Sequence, residues 1–172
     1  MPEYHMPEKD TSEFQSLDAF TRGYIECMFF TNSASGIYMT DWHEDYVQHD
    51  LREGMLDGTL PADAGFLDLH PDTLASIIAD CSEFQRVNAD LIAQAIAIKQ
   101  RTGEDVYPYG AEYAGHDFWL TRNGHGVGFW DRQLGEGGEK LTEACKAYGE
   151  VFVDFGDLDE ASPTGYGWVY TH

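Results

Sequence analysis

A chain of 172 residues, 42% hydrophobic and 14% aromatic, has the length of one ordinary domain and enough apolar material for a core, which excludes overall disorder. Thirty-one Asp and Glu against ten Lys and Arg give a formal charge of −21, which repels phosphate backbones and anionic membrane surfaces and excludes direct nucleic-acid binding through a basic groove. The three cysteines, Cys27, Cys81 and Cys145, lie far apart without a CxxC pair, which excludes a disulfide framework or zinc ribbon and points to reduced thiols.

In chain order, residues 1–14 are polar, contain Pro2 and Pro7, and predict a flexible N-terminal arm ahead of a single α+β domain over 15–172. Met1–Asp10 lacks the basic start and apolar stretch of a signal peptide, and no apolar run reaches the length of a membrane span. The expectation is a cytoplasmic protein with no membrane partner. Leu17, Phe20, Tyr24, Cys27 and Met28 recur at helical spacing and predict a helix over about 16–30, with Ser16 as its N-cap. Residues 37–70 read as a long connection around a short helix carrying Trp42, Tyr46, Leu51 and Met55. Acidic residues flank it: Asp41, Glu44, Asp45, Asp50, Glu53 and Asp57.

Pro71 suits a first helical turn, and Leu74, Ile77, Cys81, Phe84, Val87, Leu91, Ala95 and Ile98 recur at three and four. They predict one long helix over about 72–101, the spine of the domain. Residues 104–114 read as a loop. Asp117–Arg122 is β-prone, Asn123-Gly124 is a hairpin turn signal, and Val127–Trp130 can return as a second strand. Glu139–Tyr148 predicts a short helix, and 150–155 and 165–170 predict two more strands around an acidic turn. Fold class is therefore read as α+β: a long central helix plus an N-terminal helix packed on a small antiparallel sheet, with a C-terminal β-β-α-β-β order.

The stretch from Gly115 to Arg132 is the most unusual by composition. It places His116, Asp117, Arg122, Asn123, His125, Asp131 and Arg132 among Phe118, Trp119, Phe129 and Trp130, with glycines at 124, 126 and 128. The string HDFWLTRNGHGVGFWDR resembles a motif of small uncharacterised bacteriophage and prophage proteins. In those a preceding helix carries a DCxxF-like element, matched here by Asp80-Cys81-Ser82-Glu83-Phe84. The resemblance covers 115–132 and 80–84. It implies a viral source and the cytoplasm of an infected bacterium, and it supplies no activity and no catalytic residues.

Three roles compete for this stretch. In the first, the polar groups form a local hydrogen-bonded network that specifies a turn. In the second, His116, His125 and a carboxylate, Asp117 or Asp131, hold a divalent metal with a position left for water, the centre of a small metal-assisted hydrolase or ligand-binding protein. The spacing matches no HExxH, GxSxG, P-loop or GxGxxG pattern, and Cys81 and Cys145 fall on apolar helical faces, where core packing is their expected role. In the third, Trp119, Arg122 and Trp130 at a hairpin tip form a recognition surface within an acidic surround.

The expected function is protein–protein binding without a cofactor, and the expected partner is a basic, nucleic-acid-handling host protein. The concrete form is a DNA-mimicking inhibitor of a host defence factor. Its charge would come from Asp41, Glu44, Asp45, Asp50, Glu53 and Asp57, together with Asp154, Asp157, Asp159 and Glu160. Each of these carboxylates taken alone is an ordinary solvated side chain, and only a contiguous array favours mimicry over plain solubility. A homodimer is a further possibility, marked by an apolar patch larger than a monomer tolerates.

Overall fold

The computed structural model describes residues 6, 8–32, 60, 64–102, 108–156, 162 and 167–172. Helix dominates them. Six α-helices, α1 Ser12–Gln15, α2 Ala19–Asn32, α3 Pro71–Val87, α4 Ala89–Thr102, α5 Ala111–Arg122 and α6 Glu136–Cys145, precede two short antiparallel strands, β1 Val153–Phe155 and β2 Val169–Thr171. The class is α+β at this coarse level. The chain divides into two compact units, Met1–Gln15 with Met28–Ala75 and Phe152–His172, and Ser16–Cys27 with Ser76–Val151.

In the first unit the sheet is small because it has only two partners. Val153 pairs with Thr171, Asp154 with Tyr170 and Phe155 with Val169, and Phe152 and His172 exchange backbone hydrogen bonds beyond the strand ends. Leu69 adds a single parallel bridge to Val169. Apolar burial holds this unit: Phe14 meets Phe66 edge-on at 5.2 Å between ring centroids. Within the stretch expected as a loose arm, Met6 and Phe14 are buried. Pro71 takes the first position of α3, where its missing N–H costs nothing. The amide of Asp72 donates to Nδ1 of His70, whose ring stacks on Tyr170 at 5.0 Å.

The second unit is built around aromatic stacking. Phe84 of α3 lies on Phe118 of α5 with centroids 4.0 Å apart and planes 20° from parallel. Phe20, Tyr24, Phe129 and Tyr148 close around that pair. The helix predicted over 16–30 is α2, and its cap is Asp18 rather than Ser16. Asp18 Oδ1 accepts the Thr21 amide at 3.0 Å and Oδ2 accepts the Thr21 hydroxyl at 2.6 Å. Glycine lets α2 and α5 meet backbone to backbone. A Cβ on Gly115 would lie 2.0 Å from the Phe20 carbonyl oxygen, and one on Gly23 would lie 2.0 Å from that of Glu112.

Three expectations need correction. The long helix over 72–101 is two helices, α3 and α4, with a break at Asn88. The Asn88 side-chain amide and its backbone amide both donate to the Phe84 carbonyl at 3.0 Å, a local competition that loosens helices at asparagine. The strand expected at 117–122 is the second half of α5, and Val127–Trp130 is a loop leading into a single 3₁₀ turn at Phe129–Asp131. The C-terminal β-β-α-β-β order reduces to α6 followed by β1 and β2, so the hairpin that would have completed it does not form.

Candidate functional site

The dipeptide Asn123-Gly124, predicted as a hairpin turn, ends a helix instead. The amide of His125 donates to the Leu120 carbonyl at 3.0 Å and that of Gly124 to the Thr121 carbonyl at 3.3 Å, with Gly124 at φ +65°. That pair of bonds is a Schellman cap, which places glycine in the left-handed region just after the last helical residues. The Asn123 side chain completes the stop: its amide donates to the Trp119 carbonyl at 2.9 Å and its oxygen accepts the Val151 amide at 2.7 Å.

Around α5, two polar centres take up Asp117, Arg122 and Arg132. Asp117 is fully buried. Arg132 returns from the loop to donate Nε to Asp117 Oδ1 at 2.9 Å and Nη2 to the same oxygen at 2.8 Å, and the Tyr109 hydroxyl donates to Oδ2 at 2.7 Å. Burial pushes the Asp117 carboxyl above the usual aspartate value, against the pull of Arg132 and Tyr109. One turn and a half later, Arg122 spends its guanidinium on four acceptors. Nη1 donates to Asp80 at 2.9 Å and to the Tyr24 hydroxyl at 3.0 Å, Nη2 to the Tyr148 carbonyl at 2.8 Å, and Nε to the Gly149 carbonyl at 2.9 Å. The guanidinium carbon also lies 5.5 Å from the Phe118 ring centroid. The side chain of Arg122 is 3% exposed.

Asp117 is sealed from solvent, while Asp80, held by Arg122 in the second centre, keeps its side chain 42% exposed. Asp117 accepts from Arg132 and Tyr109, and Arg122 commits four of its N–H donors to the acceptors just named. Trp119 is 1% exposed and packs edge-on against Tyr24. Trp119 and Arg122 therefore sit in the interior, and of the three expected recognition residues Trp130 is on the surface, at 54% exposure.

The histidines have different surroundings. His116 lies beside Tyr113 in α5, with Nε2 3.9 Å from Glu26 Oε2. Both its ring nitrogens are buried without a hydrogen-bond partner among the described residues. His125 follows the helix cap, half-buried, and burial pushes its imidazole below the usual histidine value. His116 stands two helical turns before the cap at Asn123, a rise of roughly 10 Å. Among the described residues, no three His, Cys, Asp or Glu side chains are grouped so as to hold a metal ion.

Cys27, Cys81 and Cys145 are buried free thiols, and burial pushes Cys145 up to about 12 and the other two higher still. Thiols so far from ionisation are packing residues rather than nucleophiles. Asp131 and Asp154 are exposed. Asp41, Glu44, Asp45, Asp50, Glu53, Asp57, Asp157, Asp159 and Glu160 lie outside the described residues.

Sequence reasoning had no way to see the partners. Tyr109, Tyr24 and the carbonyls of Tyr148 and Gly149 carry no pattern that marks them as ligands of an arginine or aspartate. One signal did exist. The DCSEF element and the HDFWLTR string meet in space, since Asp80 pairs with Arg122 and Phe84 stacks on Phe118. No helix among the described residues is long and apolar enough to cross a membrane. The chain matches no protein-family model, no curated protein and no solved structure at a significant level.

Proposed function

We propose that this chain acts by binding another protein and that the partner is basic. In its concrete form it is a phage-encoded inhibitor that occupies a nucleic-acid-binding surface of a host nucleic-acid-handling or defence protein, in the cytoplasm of the infected cell and without a cofactor. The observation that supports this is where the cations go. Of the ten Lys and Arg, Arg122 and Arg132 point inward to Asp80 and Asp117. Arg22, Arg86, Lys140 and Lys146 are each paired with a neighbouring carboxylate. With these cations held against carboxylates, the excess of acidic residues that sets the formal charge of −21 gives an anionic outward field, which speeds encounter with a cationic surface.

The test is binding of the labelled chain to purified bacterial restriction and repair nucleases, with duplex DNA as competitor and salt as a second variable. The expected result is a complex displaced by DNA and weakened by salt. A complex indifferent to DNA refutes mimicry, and no complex with any cationic protein refutes the basic-partner proposal. A His116→Ala/His125→Ala variant run in parallel is expected to bind like the wild type, since neither ring lies among the groups that set the outward charge.

A further inference from the structure

The loop from His125 to Asp131 presents two large apolar side chains to solvent, Trp130 at 54% and Val127 at 40% exposure. An exposed indole on a mobile loop is unremarkable, but this loop is fixed at both ends. The Schellman cap sets its start. The Phe129 amide donates to the Thr121 hydroxyl at 3.0 Å, and a Cβ on Gly128 would stand 2.3 Å from that same oxygen, so the loop lies directly on α5. Phe129 is fully buried on one side of Trp130, and Arg132 is tied to Asp117 two residues beyond. Trp130 is thus held outward between two anchors, and the cost of ordering it has been met by folding before any partner arrives.

The surround is predominantly acidic. Between Asn123 and Asp131 there is no Lys or Arg. Asp131 is exposed beside Trp130. The Glu150 carboxylate lies over Gly124, 3.8 Å from where a side chain there would begin. Glu136 and Glu139 occupy the first turn of α6, which packs through Gly138 on the Phe129 carbonyl. Lys140 on α6 is paired with Glu136, and Arg132, which follows the loop, is tied to Asp117.

We infer that the Trp130 loop is the contact surface for an arginine- or lysine-rich segment of a partner protein, with the indole face stacking on a cationic side chain and Asp131 and Glu150 pairing with its neighbours. An aromatic face beside carboxylates is complementary to guanidinium and ammonium groups, and a preorganised Trp is the residue type that most often dominates binding. The inference rests on the basic-partner reading and adds to it the place of contact.

Fluorescence anisotropy with a fluorescein-labelled oligo-arginine peptide tests it, with an oligo-glutamate peptide as control. The wild type is expected to bind the cationic peptide and not the anionic one. Trp130→Ala is expected to weaken binding about tenfold and Trp130→Phe about threefold, since a phenyl ring keeps part of the cation–π attraction. Asp131→Asn is expected to weaken it less than Trp130→Ala and to flatten its salt dependence. Equal affinity of wild type and Trp130→Ala, with both folded by circular dichroism, overturns the assignment of the loop while leaving a basic partner standing. Absence of binding by the wild type overturns the basic-partner reading itself.

Discussion

The two halves of the segment from Gly115 to Arg132 differ in what their polar residues face. From Gly115 to Arg122 the chain is a helix whose Asp117, Phe118, Trp119, Leu120 and Arg122 are buried. From Gly124 to Asp131 it is a loop that exposes Val127, Trp130 and Asp131 around buried Gly128 and Phe129. The helical half consumes its charges internally, because an ionised group taken from water must be paired and hydrogen-bonded to persist there. The loop half leaves its indole and carboxylate to solvent. One continuous string of chemically suggestive residues thus divides at its glycine cap into a part that holds the fold and a part available for contact. Substitutions in the first half should register as stability and those in the second as binding.

The largest effect is expected at Arg122. Arg122→Ala removes four hydrogen bonds of a buried guanidinium, leaves the buried Tyr24 hydroxyl and two part-buried carbonyls without that donor, and should cost about 3 kcal/mol in urea unfolding. Arg122→Lys should recover little of this, since one ammonium cannot span four acceptors arranged around a planar guanidinium. Unfolding midpoints within error of the wild type for both variants would show that the helical half is not held by its polar centre, and the contrast between the halves would lose its basis.

Gly115→Ala comes next. Its methyl would stand 2.0 Å from the Phe20 carbonyl oxygen, so α2 and α5 must separate, at about 1–3 kcal/mol. A Gly126→Ala control in the loop half meets nothing within 4 Å and should be close to neutral.

Asp18, the cap of α2, sharpens the comparison with pH. Burial pushes its carboxyl up, but hydrogen bonds from Thr21 and Gln85 outweigh burial and hold it below the usual aspartate value. A lowered native value means that its stabilisation is present above the unfolded value and is lost as pH falls through the native one. Asp18→Ala should cost about 1 kcal/mol at neutral pH and nothing further at acid pH, whereas Asp18→Asn should keep the cap at both. Thermal melts at neutral and acid pH check this, and a wild type and Asp18→Ala that lose stability in parallel on acidification would remove the cap from the explanation.

The smallest effect on stability belongs to Trp130. Its removal should change unfolding by less than about 0.5 kcal/mol, in keeping with an exposed side chain. A substantially larger loss would mean that the indole supports the fold, and the loop would no longer stand as the binding half of the contrast.

Several elements were legible from residue spacing alone. The apolar positions at three and four over 17–28 and 74–98 mark α2 and the α3–α4 pair because a helix needs only one continuous apolar stripe to be recognised. Pro71 marked the start of α3. The break at Asn88 was less visible, because asparagine is only mildly unfavourable in a helix until its side chain finds the Phe84 carbonyl. In the candidate site, the residue types were legible but their assignment was not. Trp119, Arg122 and Trp130 look alike on the page as recognition residues, and only Trp130 faces solvent.

The sequence by itself determined the acidic balance, the α+β class, the buried thiols on apolar helical faces and the existence of a glycine-dependent turn after Asn123. Only the tertiary structure decided what that turn joins. A glycine at positive φ serves a hairpin and a helix cap equally well, so the local signal is degenerate. The choice rests on contacts distant in sequence: Asp117 reaches Arg132 across 15 residues and Arg122 reaches Asp80 across 42. The helix is the conformation that brings Asp117 and Arg122 inward to their partners, and no window of sequence short enough to show periodicity contains both members of the Arg122–Asp80 pair.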